Sequence, residues 1–161
     1  MPRTRHRCVG IALAGGALKL RVEYTARGVS RVEFAQRRQP GRLPYNLQTQ
    51  LKQYFAGKPV QFRVPLDLST GTAFQRKVWR VLRQIPYGQT RSYAWVARRI
   101  GCPRAARAVG AACGANPVPI LVPCHRVLRS NGALGGFSAG VDWKVRLLAL
   151  EGSCIPSTRQ A

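Results

Sequence analysis

The chain has 161 residues, 45% of them apolar, so it is long enough to bury a core and too apolar to be disordered. It carries 27 Lys and Arg against 5 Asp and Glu, a formal net charge of +22. This excess favours nucleic acid as the partner, with an anionic membrane surface as the weaker alternative. No apolar run is long enough to span a bilayer. The stretch before Ala12-Leu13-Ala14 is short for a signal peptide, so we interpret the N-terminus as a basic leader into a β-hairpin.

Residues 1–70 predict a small antiparallel sheet followed by an amphipathic helix. Residues 10–35 alternate short apolar runs with glycine and charge, which is typical of short strands. The apolar side chains of this predicted sheet are Val22, Tyr24, Val29, Val32 and Phe34. Further along, Leu47, Leu51, Tyr54 and Phe55 stand at i, i+4, i+7 and i+8, which predicts a helix ended by Gly57 and Pro59. Residues 60–68 indicate a strand or an extended connector.

Beyond a boundary near residues 69–72 the helical signals are stronger. Thr72 and Gln75 have the spacing of a capping box, and the helix that follows has one apolar face. That face consists of Phe74, Val78, Val81, Leu82 and Ile85. Ser92 is expected to cap a short helix from Tyr93 to about Ile100, closed by Gly101. Pro103 stands where an N1 proline would begin a third helix. Two short helices around a Gly-Cys turn indicate a helix-turn-helix.

The third predicted helix is mostly alanine and glycine, with Arg104 and Arg107 as its only charges. Small side chains let a backbone come close to another surface, which is either the core of the protein or a DNA groove. In so basic a chain we favour the groove. Because no Asn or Gln is present to read base edges, we expect contacts to DNA shape and phosphate rather than to sequence.

The five cysteines stand at irregular spacings and include no C-x-x-C pair. They are Cys8, Cys102, Cys113, Cys124 and Cys154. An odd count is a poor disulfide framework, and with only His6 and His125 beside them no paired zinc spacing exists. We therefore predict a reducing compartment, no metal and no cofactor.

The segment "NPVPILVPCHRV", residues 116–127, places Cys124 directly before His125. The usual role of a lone cysteine is a small buried hydrophobe. Here the adjacent histidine suggests a nucleophile and its base, and the charge of Arg126 would favour thiolate. Neighbours in a strand point to opposite faces, so pairing needs a turn after Pro123 or a bridging water. Glu151, at the end of the last predicted helix, is the candidate that orients the imidazole, although it could equally be a surface residue.

Five segments between residues 72 and 152 resemble, in order, the O6-alkylguanine-DNA alkyltransferase (methylated-DNA–protein-cysteine methyltransferase) family. They are "FQRKVW", "IPYGQTRSY", "AARAVG", "NPVPILVPCHRV" and "LLALEG". PCHR in this frame is highly specific, whereas the residues before 70 are similar to the family's N-terminal domain only loosely. The chain departs from the family at Ala139, where glycine is common, and at Phe137, where tyrosine is frequent. The added methyl of Ala139 is expected to narrow the pocket or stiffen its loop.

The resemblance implies a role for each matching residue. Cys124 would be the nucleophile and permanent alkyl acceptor, with His125 as base through a water and Glu151 orienting His125. Asn116 would brace the turn behind the thiol. Tyr93 would help to rotate the target phosphate and protonate the departing guanine. The DNA contacts implied or expected are Arg107, which would replace the flipped base in the stack, together with Arg104, Tyr93, Ser92 and Ser130. The loop of residues 132–140 would line the guanine pocket, whose expected residues are Pro119, Val127, Phe137 and Ser138.

The fold expected on these grounds is α+β. Residues 1–68 would form an N-terminal α/β, ribonuclease-H-like domain, and residues 69–156 a mostly helical, winged-helix-like domain, with a tail at 157–161. Asp142 is expected to cap the last helix. The implied function is direct, single-turnover reversal of O6-alkylguanine, and of O4-alkylthymine, after base flipping. The partner would be double-stranded DNA bound through the minor groove without sequence specificity, by a cytoplasmic monomer that is nucleoid-associated if bacterial.

Three other functions remain compatible with the residues alone. A non-catalytic protein could recognise alkylated bases and flag them, although such proteins lack the cysteine. A thiol hydrolase or acyltransferase could use Cys124 and His125, but it would need an oxyanion hole and would turn over repeatedly. A winged-helix regulator with a cysteine sensor would prefer one DNA sequence, which the alanine-rich helix argues against.

Overall fold

A computed structural model of the chain describes residues 5–13, 16–35 and 43–153, with side chains described from residue 19 onward. The chain divides into two compact units, Met1–Thr70 and Gly71–Ala161. This division lies two residues beyond the predicted boundary at residue 68. The ribonuclease-H-like assignment of the first unit stays a prediction, and the predicted tail at 157–161 lies outside the described residues.

The first unit contains the expected antiparallel sheet. Strands β1 (Arg5–Leu13), β2 (Gly16–Thr25) and β3 (Gly28–Phe34) pair in the order β1-β2-β3. Of the predicted apolar side chains, Val22, Val29 and Val32 are buried, and Tyr24 and Phe34 are partly covered. The apolar pattern of residues 10–35 therefore predicted the sheet correctly, and three of its five apolar side chains lie in the core.

Helix α1 (Leu47–Phe55) buries the four residues that its periodicity predicted. The chain leaves the helix through Gly57, whose φ of +77° is a conformation that glycine adopts without strain. Residues 60–68 form the extended connector rather than a full strand, because they bridge to the sheet only between Val29 and Leu66. Asp67 ends this connector and accepts a hydrogen bond from Thr25 Oγ1 at 2.6 Å.

The second unit begins with helix α2 (Ala73–Leu82), which has the predicted capping box. The backbone N–H of Gln75 donates to Thr72 Oγ1 at 3.1 Å, and the backbone N–H of Thr72 donates to Gln75 Oε1 at 2.8 Å. The helix ends before Ile85, which is nevertheless buried. Trp79, which the predicted apolar face omitted, is also buried, and its indole N–H donates to the Ala112 carbonyl at 2.8 Å.

Helices α3 (Tyr93–Arg99) and α4 (Ala106–Gly114) form the predicted helix-turn-helix pair. Ser92 caps α3 by accepting a hydrogen bond from the Trp95 N–H at 3.0 Å. The predicted start of the next helix at Pro103 is wrong. The Ala105 N–H donates to the Cys102 carbonyl at 2.9 Å, which closes a four-residue turn. Pro103 is the second residue of this turn, a position that the fixed φ of proline suits as well as it suits the first turn of a helix. Arg104 therefore lies in this turn and not on α4.

The remaining elements surround the segment Cys124–Arg126. A short 3₁₀ helix spans Cys124–Arg126, and β5 (Val127–Leu128) continues from it to pair in parallel with β4 (Arg91–Ser92). Helix α5 (Val141–Leu150) follows, with Gly140 at its N-cap position. The prediction that Asp142 caps this helix is wrong. Its side chain stands in the first turn, where it makes no cap hydrogen bond but still opposes the positive end of the helix dipole. None of the described helices has both the length and the apolarity needed to cross a membrane.

Candidate active site

The turn that carries Cys124 is held from behind by Asn116. The amide of Asn116 donates to the Val122 carbonyl at 2.8 Å, and its oxygen accepts from the Val118 N–H at 3.0 Å. Between these contacts Ile120 has a φ of 74°, a strained value for a β-branched residue. Pro123 then leads directly into the 3₁₀ helix of Cys124. A single buried amide thus braces the turn that leads into Pro123, and the 3₁₀ helix is the turn that we expected after Pro123.

The thiol of Cys124 is buried, with 3% of the residue exposed. Burial raises its pKa, because a thiolate is poorly solvated there, while a hydrogen bond from Asn116 and the positive charge of Lys144 oppose the rise. The thiol is therefore neutral at rest and needs a base to become a nucleophile.

His125 and Arg126 converge on Glu151, which ends α5. The Nε2 atom of His125 lies 2.6 Å from Glu151 Oε1. The guanidinium of Arg126 donates two hydrogen bonds to the same carboxylate, Nε to Oε2 at 2.8 Å and Nη2 to Oε1 at 3.0 Å. Its third nitrogen, Nη1, donates to the Ile85 carbonyl at 2.6 Å. All three side chains are buried, so the surface alternative for Glu151 is excluded.

The protonation states within this group follow from its geometry. Burial on its own would raise the pKa of Glu151, but the hydrogen bonds from His125 and Arg126 outweigh it and lower the pKa to about 2. Burial lowers the pKa of His125, although the hydrogen bond and the charge of Glu151 act to raise it. A neutral imidazole that donates its Nε2–H to Glu151 carries its lone pair on Nδ1, as a general base requires.

Sequence reasoning assigned the charge that favours thiolate to Arg126, and the structure reassigns it to Lys144. The Arg126 guanidinium is occupied by Glu151. Lys144 is fully buried on α5, and its ammonium donates to the carbonyls of Val127, at 2.7 Å, and Leu134. Burial lowers its pKa to about 8. The sequence did contain a signal for this buried cation, because Lys144 interrupts the apolar side of α5.

Tyr93, the first residue of α3, reaches the same cluster. The Lys144 ammonium lies 5.8 Å from the centre of its ring. Burial, and then the neighbouring thiols of Cys113 and Cys124, raise the pKa of Tyr93 to about 12, so its hydroxyl keeps its proton at neutral pH. Cys113 on α4 is itself buried, and burial raises its pKa to about 12.

The other residues singled out in the sequence occupy two different environments. Arg104, Arg107, Ser130 and Ser138 are exposed, Ser92 and Phe137 are half-buried, and Pro119 and Val127 are buried. The structure therefore brings Cys124, His125, Glu151, Asn116 and Tyr93 into one cluster, with the other predicted DNA contacts, Arg104, Arg107, Ser92 and Ser130, outside it. Cys102, Cys113 and Cys124 are free thiols, while the side chains of Cys8 and Cys154 lie outside the description. Over the described ranges, no three His, Cys, Asp or Glu side chains gather in a way that could hold a metal ion.

Comparison with characterised proteins gives a consistent result. Residues 73–153 match the family model described as "6-O-methylguanine DNA methyltransferase, DNA binding domain". A methylated-DNA–protein-cysteine methyltransferase of Mycolicibacterium paratuberculosis is 57% identical over 102 residues, which cover 63% of this chain and 61% of that relative. The match thus spans about three fifths of the relative's length.

Two solved structures resemble the chain over most of its length. The crystal structure of Mycobacterium tuberculosis O6-methylguanine methyltransferase is 38% identical, with a TM-score of 0.80 over 96% of each chain. That of Mycobacterium tuberculosis OGT in complex with DNA is 40% identical, with a TM-score of 0.75 over 91% of this chain and 92% of the other. The expected α+β fold class is confirmed by both. With a family model covering half of its residues, this chain belongs to the 6-O-methylguanine DNA methyltransferase family.

Proposed function

We propose that this protein repairs O6-alkylguanine in double-stranded DNA by moving the alkyl group irreversibly to its own Cys124, in a single turnover. The observation that carries the proposal is the buried thiol of Cys124, which stands next to a buried His125–Glu151–Arg126 group. The name of the M. paratuberculosis relative, methylated-DNA–protein-cysteine methyltransferase, describes the same chemistry. O4-alkylthymine, which presents an analogous aryl ether, is the second substrate that we propose.

The proposed reaction begins when the Cys124 thiol gives its proton, through a water, to the imidazole of His125. The ionised carboxylate of Glu151 stabilises the imidazolium that forms and holds its ring in place. The thiolate attacks the alkyl carbon, the S–C bond forms, and the C–O6 bond breaks with its electron pair going to the guanine. Tyr93, which keeps its proton at neutral pH, supplies a proton to the departing base. No group in the site regenerates the thiol from the thioether, so the protein is consumed.

The target atom lies within the duplex, so the nucleotide must be flipped out of the stack. We propose that α4, with its bare surface, enters the minor groove and that Arg107 fills the space left by the base. Arg104, Ser92 and Ser130 would contact the backbone, and binding would not depend on sequence. The crystal structure of M. tuberculosis OGT in complex with DNA supports DNA as the partner. We propose a monomer in the reducing cytoplasm, on the nucleoid if the protein is bacterial.

The flipped guanine would occupy the space between the Cys124 turn and the loop of residues 132–140. Phe137 and Ser138 would line the loop side, with Ser138 near O6, while the buried Pro119 and Val127 would form the wall or offer backbone contacts. The methyl group of Ala139 is expected to restrict bulky alkyl groups more than methyl. Comparison of O6-methylguanine and O6-benzylguanine as substrates measures that restriction.

The test of the proposal is intact-protein and peptide mass spectrometry after incubation with a duplex that contains one O6-methylguanine. The peptide with Cys124 is expected to gain one methyl mass, in a 1:1 ratio to DNA repaired, without turnover. Cys124→Ala should bind the duplex and gain no mass, with Cys102→Ala as the control that still gains it. Binding without any mass gain in the unaltered protein would contradict alkyl transfer and favour a damage-flagging role. Repeated turnover would instead favour a thiol hydrolase.

Gly135 lies where the pocket loop passes close to Tyr93. Its φ is +69°, and a Cβ added there would lie 2.7 Å from the Tyr93 hydroxyl. Gly135→Ala is therefore expected to displace the tyrosine and slow methyl transfer roughly tenfold, with a backbone strain of about 1–2 kcal/mol. Gly136→Ala is the matched control, because a Cβ there meets nothing within 4 Å. Equal transfer rates for the two variants would contradict the assigned position of Tyr93.

A further inference from the structure

The second unit carries a basic surface that the proposed repair reaction does not use. We define the α2–α3 ridge as five exposed or half-buried cations: Lys77 and Arg80 on α2, Arg83 at its C-cap, Arg91 on β4 and Arg99 at the end of α3. No aspartate or glutamate stands between Asp67 and Asp142 in the sequence, so the ridge has no acidic neighbour along the chain. Like charges concentrated in this way repel one another unless a polyanion offsets them.

An aromatic ring organises part of the ridge. The guanidinium groups of Arg91 and Arg99 lie 5.4 and 5.5 Å from the centre of the Trp95 ring. Arg99 also donates to Gln84 Oε1 at 3.4 Å, which links α3 to the turn after α2. Stacking on one ring holds the two guanidinium groups in fixed positions and reduces the entropy lost when they bind a phosphate.

The part of the ridge contributed by α2 points away from the helix that we assign to the lesion-containing duplex. α2 packs against α4 through its buried side, where Trp79 donates to the Ala112 carbonyl at 2.8 Å. On an α-helix, Lys77, Arg80 and Arg83 lie opposite the buried Val78 and Leu82. The exposed side of α4, which carries Arg107, likewise faces away from α2. One straight duplex cannot contact both exposed sides.

The charge of the ridge matches a length of duplex DNA. Residues 77–83 rise about 9 Å along the helix axis, and each strand of duplex DNA presents about three phosphate charges over that length. Three of the ridge cations, Lys77, Arg80 and Arg83, stand within this distance. We propose that the α2–α3 ridge binds a second segment of duplex DNA, so that one molecule bridges two duplexes through opposite sides of its second unit.

Bridging is measured by duplex capture on undamaged DNA, so the result does not depend on alkyl transfer. One biotinylated duplex is fixed on beads in excess over protein, and a fluorescent duplex of unrelated sequence is added in solution. The unaltered protein is expected to retain the fluorescent duplex on the beads. Arg80→Glu with Arg83→Glu should reduce this capture at least tenfold while the protein still binds the first duplex. Trp95→Leu, which changes no charge, should reduce it severalfold.

The control has the same change of charge in another place. Lys58→Glu with Arg63→Glu replaces two exposed cations of the first unit and should leave capture within twofold of the unaltered protein. Arg80→Gln with Arg83→Gln, checked by thermal melting, provides a second ridge variant should the charge reversal prevent folding. Absence of capture by the unaltered protein would overturn the proposal. Equal losses in ridge and control variants, or a loss of first-duplex binding that accompanies the loss of capture, would overturn it as well.

Discussion

Glu151→Gln is expected to slow methyl transfer to Cys124 by about 10²- to 10⁴-fold, as in other enzymes whose histidine loses its carboxylate partner. The amide keeps the size of the side chain, but it has no negative charge to stabilise an imidazolium. In the unaltered protein the carboxylate oxygen lies 2.6 Å from Nε2 of His125. The amide can also present an N–H to Nε2, which favours the wrong tautomer of His125. Single-turnover transfer of a radiolabelled methyl group measures the rate. Asp142→Asn, an exposed carboxylate with the same change, is the control and should transfer at the normal rate.

The same substitution is expected to destabilise the protein by about 3–5 kcal/mol, because Arg126 keeps its buried charge and loses its counter-charge. The pH dependence provides a second readout. The pKa of Glu151 is lowered from 4.5 to about 2 in the folded state, so the unfolded chain takes up its proton first as the pH falls. The stabilisation is present above pH 4.5 and is lost toward pH 2. Urea unfolding of Glu151→Gln should show a smaller acid-dependent loss, with the part due to Asp67 remaining, because hydrogen bonds from Ser69 and Thr25 lower the pKa of that carboxyl. An undiminished loss in the variant would contradict the assignment to Glu151.

Lys144→Met is expected to slow methyl transfer at least tenfold. The ammonium charge opposes the rise that burial imposes on the pKa of Cys124, so its removal lowers the fraction of thiolate by about tenfold for each unit of pKa. The carbonyls of Val127, Leu134 and Gly136 also lose their donor, at a cost of about 1–3 kcal/mol for a carbonyl left buried. Lys58→Met, at an exposed position, is the control.

The change in stability at alkaline pH tests whether Lys144 is a buried cation. Because burial lowers the pKa of Lys144 from 10.5 to about 8, the unfolded chain holds this proton more tightly than the folded chain. Lys144 should therefore contribute a rise in stability of about 1 kcal/mol between pH 8 and 9. Cys113 and Cys124 act in the opposite direction as the pH approaches and passes 9, because burial raises their folded-state pKa values. Stability that falls over this range in Lys144→Met supports the assignment, and the same pH response in the variant as in the unaltered protein would contradict it.

Local patterns in the sequence predicted the elements that depend on neighbours within a few residues. The capping box of Thr72 and Gln75, the buried face of α1 and the Ser92 cap of α3 were all correct, because each is formed between residues three to eight apart. The predicted start of α4 was wrong because neighbouring residues alone did not decide it. Pro103 suits the second position of a turn and the first turn of a helix equally, and only contacts made elsewhere in the fold decide between them.

The sequence by itself determined the family resemblance and the candidacy of Cys124 as nucleophile, His125 as base and Glu151 as their orienting group, since these depend on residue type and order. Only the tertiary structure decided which cation serves which group. Arg126 stands two residues from the thiol yet binds Glu151, whereas Lys144, twenty residues away, supplies the positive charge near Cys124. Such pairings form when the end of α5 folds back onto the 3₁₀ helix. Burial makes them strong, because charges removed from water must find partners wherever the packing places them.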